Sequence, residues 1–175
     1  MIQTFDTQLE VSLRALREVV APALENAESH VVEQFNLALA TLDFTRQRLP
    51  YARSFHRSEL QHFMEFSADV REVIDADRPD IAQQLKNTEE EGSKQLASPE
   101  AEVEDYLMVS RQLRELIAEA TQCSNGKPYE KQLDTLILQR QKDFFPAQRS
   151  WCQPLGLDTK PDELPTMDEA ISGAY

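Results

Sequence analysis

Glycine is scarce in this chain: Gly92, Gly126, Gly156 and Gly173 are the four it has in 175 residues, and no two stand close together. A phosphate-cradling loop or a nucleophile elbow needs glycines at short fixed spacing, so nucleotide-binding loops and the Gly-x-Ser-x-Gly hydrolase motif are excluded. Histidine is nearly as sparse, with His30, His56 and His62 all in the first half of the sequence and no His-Glu-x-x-His among them. No apolar run approaches the roughly 18 residues that a membrane-spanning helix needs. The opening residues, Met1-Ile-Gln-Thr-Phe-Asp-Thr-Gln, have neither the basic start nor the apolar stretch of a secretory signal. Cys123 and Cys152 are the two cysteines; neither belongs to a Cys-x-x-Cys pair or neighbours a histidine. Without a signal they are expected to be free, reduced thiols in a cytoplasmic protein.

Positive charge is also thin. Eighteen Lys and Arg face thirty-one Asp and Glu, a formal charge of −13. A nucleic-acid surface needs clustered cations, and repulsion from phosphates would otherwise dominate, so neither nucleic acid nor an anionic membrane is an expected partner.

What the chain has in abundance is helix-forming residues with apolar positions at helical spacing. That composition predicts an all-α fold: a single-domain antiparallel bundle of five to six helices over residues 1–146, followed by an irregular, proline-containing tail over 147–175. The tail is expected as an extended strap anchored by Trp151, or as partly disordered, with at most a single turn at 167–171. The first helix is expected from Thr4 or Asp6 to about Val20, with Phe5, Leu9, Leu13, Leu16 and Val20 on one inward face. The segment from Pro22 to Pro50 reads as one long helix, with Leu24, Val31, Phe35, Ala38, Leu42 and Leu49 in a stripe that Val32, Leu39 and Phe44 broaden. So wide an apolar face predicts the central helix of the bundle.

A third helix is predicted from Arg53 or Ser58 to Ala76, its stripe Leu60, Phe63, Met64, Phe66, Val70, Val73 and Ile74. A fourth, starting at Asp77-Arg-Pro79, has few apolar residues and is expected to be peripheral and broken near Gly92. Ser98-Pro99-Glu100 reads as the cap of a fifth helix running to about Cys123. A sixth covers 129–144, and Pro146 is expected to end it.

No catalytic constellation emerges and no cofactor is implied. Glu59-x-x-His62 has the ligand spacing of di-iron carboxylate bundles, but such a site needs a second Glu-x-x-His, which is missing. His56, Glu59, His62 and Glu65 step by three and drift about 60° around the helix at each step, so they cannot all face one ion. Glu59 and His62 are the nearest approach to a metal site, and none is expected. Arg46, Arg48, Arg53 and Arg57 form the one concentration of positive charge, with Phe55 and His56 among them. They are the candidate site for an anionic group, by the bidentate geometry of guanidinium on phosphate or carboxylate.

Leu16-Arg-Glu-Val-Val-Ala-Pro22-Ala-Leu, His30 and Phe35-Asn36-Leu-Ala-Leu-Ala-Thr-Leu42 resemble the opening of small uncharacterised bacterial helical proteins. Those are encoded beside acyl-CoA dehydrogenases and kinases similar to aminoglycoside phosphotransferases. The resemblance, over about residues 10–45, implies an accessory role near enzymes of acyl-CoA or phosphorylated substrates, and it assigns no site residue.

Three functions stay open, the least favoured being a metal-binding bundle that would use Glu59 and His62. One is a non-catalytic cytoplasmic protein acting through protein–protein interaction, as an accessory subunit or a homo-oligomer. Another is a binder or enzyme with an inter-helical pocket for an acyl-CoA-like or phosphorylated ligand, lined by Phe35, Phe55, Phe63 and Phe66, with Arg53 or Arg57 at its mouth.

Overall fold

The computed structural model describes residues 4–173, and among them the chain is an all-α bundle with a short irregular tail and no strand. No helix among these residues is long and apolar enough to cross a membrane. The chain divides into two compact units: the stretch up to Tyr51 with Trp151–Asp162, and Ala52–Ser150 with the residues from Glu163 on.

The first unit begins with α1 (Phe5–Ala15), whose start is fixed by Thr4: its hydroxyl accepts the Thr7 backbone N–H at 3.3 Å. The helix loosens into a wider π turn at Leu16–Val20 and a last short piece at Ala21–Ala23. The second helix, α2, is Ser29–Arg48. The chain therefore does not run as one helix from Pro22. Proline gives up no bond in a first helical turn, but Leu24–Glu28 leaves the helix, and Glu28 enters α2 in extended conformation.

Nor is α2 a central helix. Its inner stripe of Val32, Phe35, Leu39 and Leu42 is only half-buried, while Val31, Leu37 and Leu49 are exposed. Among the described residues of this unit Leu13 is the buried apolar side chain and Arg48 the buried polar one; Leu9 and Leu16 of the face expected inward are half-buried, and Phe5 and Val20 are exposed, since nothing covers the two ends of that face. Periodicity revealed an amphipathic face correctly, but it carries no information on how many neighbours cover that face. Ion pairs tie the unit together: Arg17 Nη2 stands 3.0 Å from Asp43 Oδ2, and Arg46 Nη1 stands 3.2 Å from Asp6 Oδ1. Phe44 meets Trp151 edge-on, with ring centroids 6.1 Å apart.

A 3₁₀ turn at Leu49–Tyr51 leads straight into α3 (Ala52–Ile74). The second unit is built on α3. It packs closely with α4 (Pro79–Ala97) and α5 (Val103–Cys123), and Leu60, Phe66, Val70, Ile74, Ile81, Leu85, Val109 and Leu113 fill the space between them. Burying side chains of this size stabilises by about 1.5–3 kcal/mol each before entropy is counted, so the three-helix packing dominates the stability of the unit.

Helix α4 is thus neither peripheral nor broken. Its few apolar residues, Ile81, Ala82 and Leu85, are almost wholly buried on one face, and Gly92 lets the backbone approach where a Cβ would lie 2.7 Å from Met64 Sδ and 3.4 Å from Val109 Cγ1. A narrow buried face serves when the contact is this close. Its polar remainder is solvated. Ser98 caps a turn, accepting the Glu100 N–H, and α5 starts four residues later than expected. Its start is a capping box in which Asp105 accepts the Glu102 N–H at 2.8 Å.

Helix α6 (Glu130–Cys152) runs through Pro146 rather than ending there, and the irregular segment begins at Gln153. A proline within a helix denies a bond to the carbonyl four residues earlier. That carbonyl belongs to Lys142, an exposed residue, and buried Phe144, Ala147 and Ser150 hold the turn from the other side. The tail ends in α7 (Met167–Ser172), capped by Thr166 and Glu169, with Met167 and Ala170 buried and the Ser150 hydroxyl donating to Pro165 O at 2.8 Å. Both cysteines are free.

Candidate functional site

Each of the four arginines of the expected anion site makes a contact within the fold. Arg46 is bound by Asp6 and lies near Asp43. Arg48 is buried and donates from Nε to Trp151 O at 2.7 Å; burial pulls its pKa below the ordinary arginine value. Arg53 donates to Ala101 O and Pro99 O, both at 3.1 Å, and Arg57 to Leu96 O at 3.3 Å. Those carbonyls are left over at the end of α4 and in the turn after it, and a cation there also meets the negative end of the helix dipole. Arg46 and Arg48 lie in the first unit, Arg53 and Arg57 in the second. His56 Nδ1 is 2.9 Å from buried Glu59 Oε2, and Phe55 packs on His56 and Phe144.

Glu59 is therefore paired with His56 and not with His62. No group of three or more His, Cys, Asp or Glu able to hold a metal occurs among the described residues. His62 instead lies flat on Phe144, ring centroids 4.7 Å apart and planes 14° from parallel.

That stack lies at a cleft of about 850 Å³ within the second unit, between α5 and α6 with α3 as its floor. Phe63, Phe66, Ile117, Ile137 and Phe144 make the apolar surface; Gln122, Asn125, Asp134 and Gln141 stand at the rim. The cleft exists because α6 does not approach α3, α4 and α5 as closely as those three approach one another. Aromatic side chains hold it off. Two of the four phenylalanines expected in a pocket, Phe63 and Phe66, do line this one; Phe55 lies behind Phe144, and Phe35 belongs to α2 in the first unit.

The arginine at the cleft is Arg114, which no local sequence cluster announces. Its guanidinium stands 5.4 Å above the Phe63 ring, and no carboxylate lies within 4 Å of it among the described residues. Burial, reinforced by the nearby Arg140 cation, pulls the His62 pKa below its usual value, so the imidazole beside the cleft is neutral at neutral pH.

The second notable surface is in the first unit. Phe5, Val11, Val19, Val20, Val31, Leu37 and Leu49 are all exposed there, Phe5 at 77% and Val19 at 69%. Single exposed apolar residues are ordinary; this many on one pair of helices are not.

No family model, curated protein or solved structure matches the chain. Function is accordingly argued from these two surfaces alone.

Proposed function

We propose that this is a non-catalytic cytoplasmic protein that acts by association, and that the first unit is the associating surface, completed by a second copy of the chain. The observation that carries the reading is the imbalance within that unit. Its two helical stretches, residues 5–23 and 29–51, each roughly thirty ångströms long, expose seven large apolar side chains and, among the described residues, bury one. Beyond their shared contact, the segment after Trp151 packs on α2 but leaves these side chains exposed, and in water the usual solution is a four-helix arrangement from two hairpins.

A second copy suits the surface better than an oppositely charged partner. The basic side chains Arg17 and Arg46 are already matched by Asp43 and Asp6 inside the unit, so the face brings few uncompensated charges to its own twofold image. Two packed helices of this length present a face on the order of 500 Å² when flattened. Corrugation brings the accessible area toward the roughly 800 Å² per partner of a stable interface.

The test is a pair of exposed charge substitutions, Val19→Glu with Leu37→Glu, read by thermal unfolding at several protein concentrations. The wild-type Tm rises with concentration, since association stabilises by mass action, and the variant loses that dependence. A wild-type Tm independent of concentration overturns the reading.

A further inference from the structure

The cleft of the second unit is a separate matter from association, since all the residues lining it belong to Ala52–Ser150. Its volume of about 850 Å³ falls within the roughly 300–1,000 Å³ of small-molecule sites. Its lining carries both signs of charge. Arg114, in the middle of α5, lies over Phe63. Asp134 and Glu130, in the first turns of α6, stand with Asn125 near the turn that joins α5 to α6. Glu130 is committed to the Gly126 N–H at 2.9 Å, whereas Asp134, like Arg114, has no ion-pair partner within 4 Å among the described residues.

An unpaired cation and an unpaired carboxylate could have met each other across the hairpin. Arg114 is nine residues from the end of α5 and Asp134 four from the start of α6, an offset along the hairpin of about five residues, roughly 8 Å at 1.5 Å per residue. Between them the surface is apolar and largely aromatic, with Phe63 and Phe66 stacked at 6.5 Å.

We infer that this cleft binds a small carboxylic acid with an apolar or aromatic body and a hydrogen-bond donor at its far end. The carboxylate pairs with Arg114, the body lies against Phe63, Phe66 and Ile137, and the donor faces Asp134. A guanidinium over a ring face keeps its N–H edge open, so Arg114 accepts a carboxylate in its plane while remaining on Phe63. Asp134 and Glu130 repel a second anionic group, which selects monoacids with a hydroxyl or ammonium terminus over diacids and over phosphates with several charges. The neutral His62 adds no competing cation. This differs from the phosphorylated or acyl-CoA-like ligand expected from the arginines around Pro50, whose guanidinium groups hold carboxylates and carbonyls of the fold itself.

The experiment uses 3-(4-hydroxyphenyl)propionate as the probe, whose carboxylate and phenol are separated by about the required length, and follows backbone amide NMR shifts of the full chain on titration. A ligand of so few atoms is expected to bind with Kd on the order of a millimolar. Saturable shifts are expected at Ile117, Thr121 and Ile137, with binding at least tenfold weaker for 3-(4-hydroxyphenyl)propionamide and for R114Q. D134N is expected to abolish the preference for the hydroxylated acid over 3-phenylpropionate. Ala118→Trp, or Gln122→Trp should the first variant misfold, fills the cleft and removes binding altogether. No saturable shift at these amides overturns the inference. So does binding that the amide and R114Q leave unchanged, or that survives the tryptophan variants.

Discussion

His62 and Phe144 are stacked face to face, 4.7 Å between ring centroids, on helices α3 and α6. The contact joins the helix on which the second unit is built to the one that stands furthest from it, and it holds an ionisable ring in an apolar setting. Protonation charges that ring beside Arg140, and burial, the larger effect, disfavours the charge further.

The pH dependence follows in sign. His62 has a folded pKa below its unfolded value of about 6.5, so the unfolded chain binds the proton more readily. Its contribution is fully present above the unfolded pKa and is lost as pH falls through that value toward the folded one. Urea denaturation of wild type is expected to show stability falling over that window, and His62→Phe, which keeps the stack, should flatten this part of the profile. An unchanged slope in the variant would exclude His62 as its source.

Two buried hydroxyls stand without partners. Tyr106 and Ser110 are both fully buried on α5, and neither hydroxyl has a hydrogen-bond partner among the described residues. An unsatisfied buried hydroxyl costs about 1–3 kcal/mol, so removing it should not destabilise. Tyr106→Phe and Ser110→Ala are each expected to be neutral or to stabilise by about 1 kcal/mol, measured by chemical denaturation. A loss of 1 kcal/mol or more in either would show that the hydroxyl does have a partner.

Gly92 sits where α4 presses on Met64 and Val109. The nearest obstacle is a flexible thioether, which can move, and alanine gains roughly 1 kcal/mol of helix propensity over glycine. Gly92→Ala is therefore expected to fall within about 1 kcal/mol of wild type. Gly92→Val adds bulk that reaches Val109 as well and should cost on the order of 2–3 kcal/mol. Equal stability of the two variants would contradict a close approach at this position.

The second unit was the legible part of the sequence. Leu60, Phe63, Phe66, Val70 and Ile74 recur at helical spacing and are all buried together, because α3 has neighbours on its whole apolar side. The same pattern in α2 misled: Val31 and Leu49 lie on the expected stripe and are exposed. A hydrophobic period reports which residues share a face, and only the assembled fold decides whether anything covers it.

Pro146 does not end its helix, since the residue whose carbonyl it deprives, Lys142, is exposed, and Ile81, Ala82 and Leu85, few as they are, suffice to make α4 a core helix. Arg46, Arg48, Arg53 and Arg57 are close in sequence, yet backbone carbonyls and Asp6 engage them, a competition invisible without coordinates. Arg114 and Phe63 meet across fifty residues of chain, and no local spacing signals such a pair.

Sedimentation equilibrium of the purified wild-type chain at micromolar concentrations tests the proposed association most directly. A self-associating first unit predicts a mass that rises with concentration toward twice the 20.0 kDa of one chain, and that stays at one chain when Val19 and Leu37 are replaced by glutamate. A wild-type mass of one chain at every concentration would contradict it.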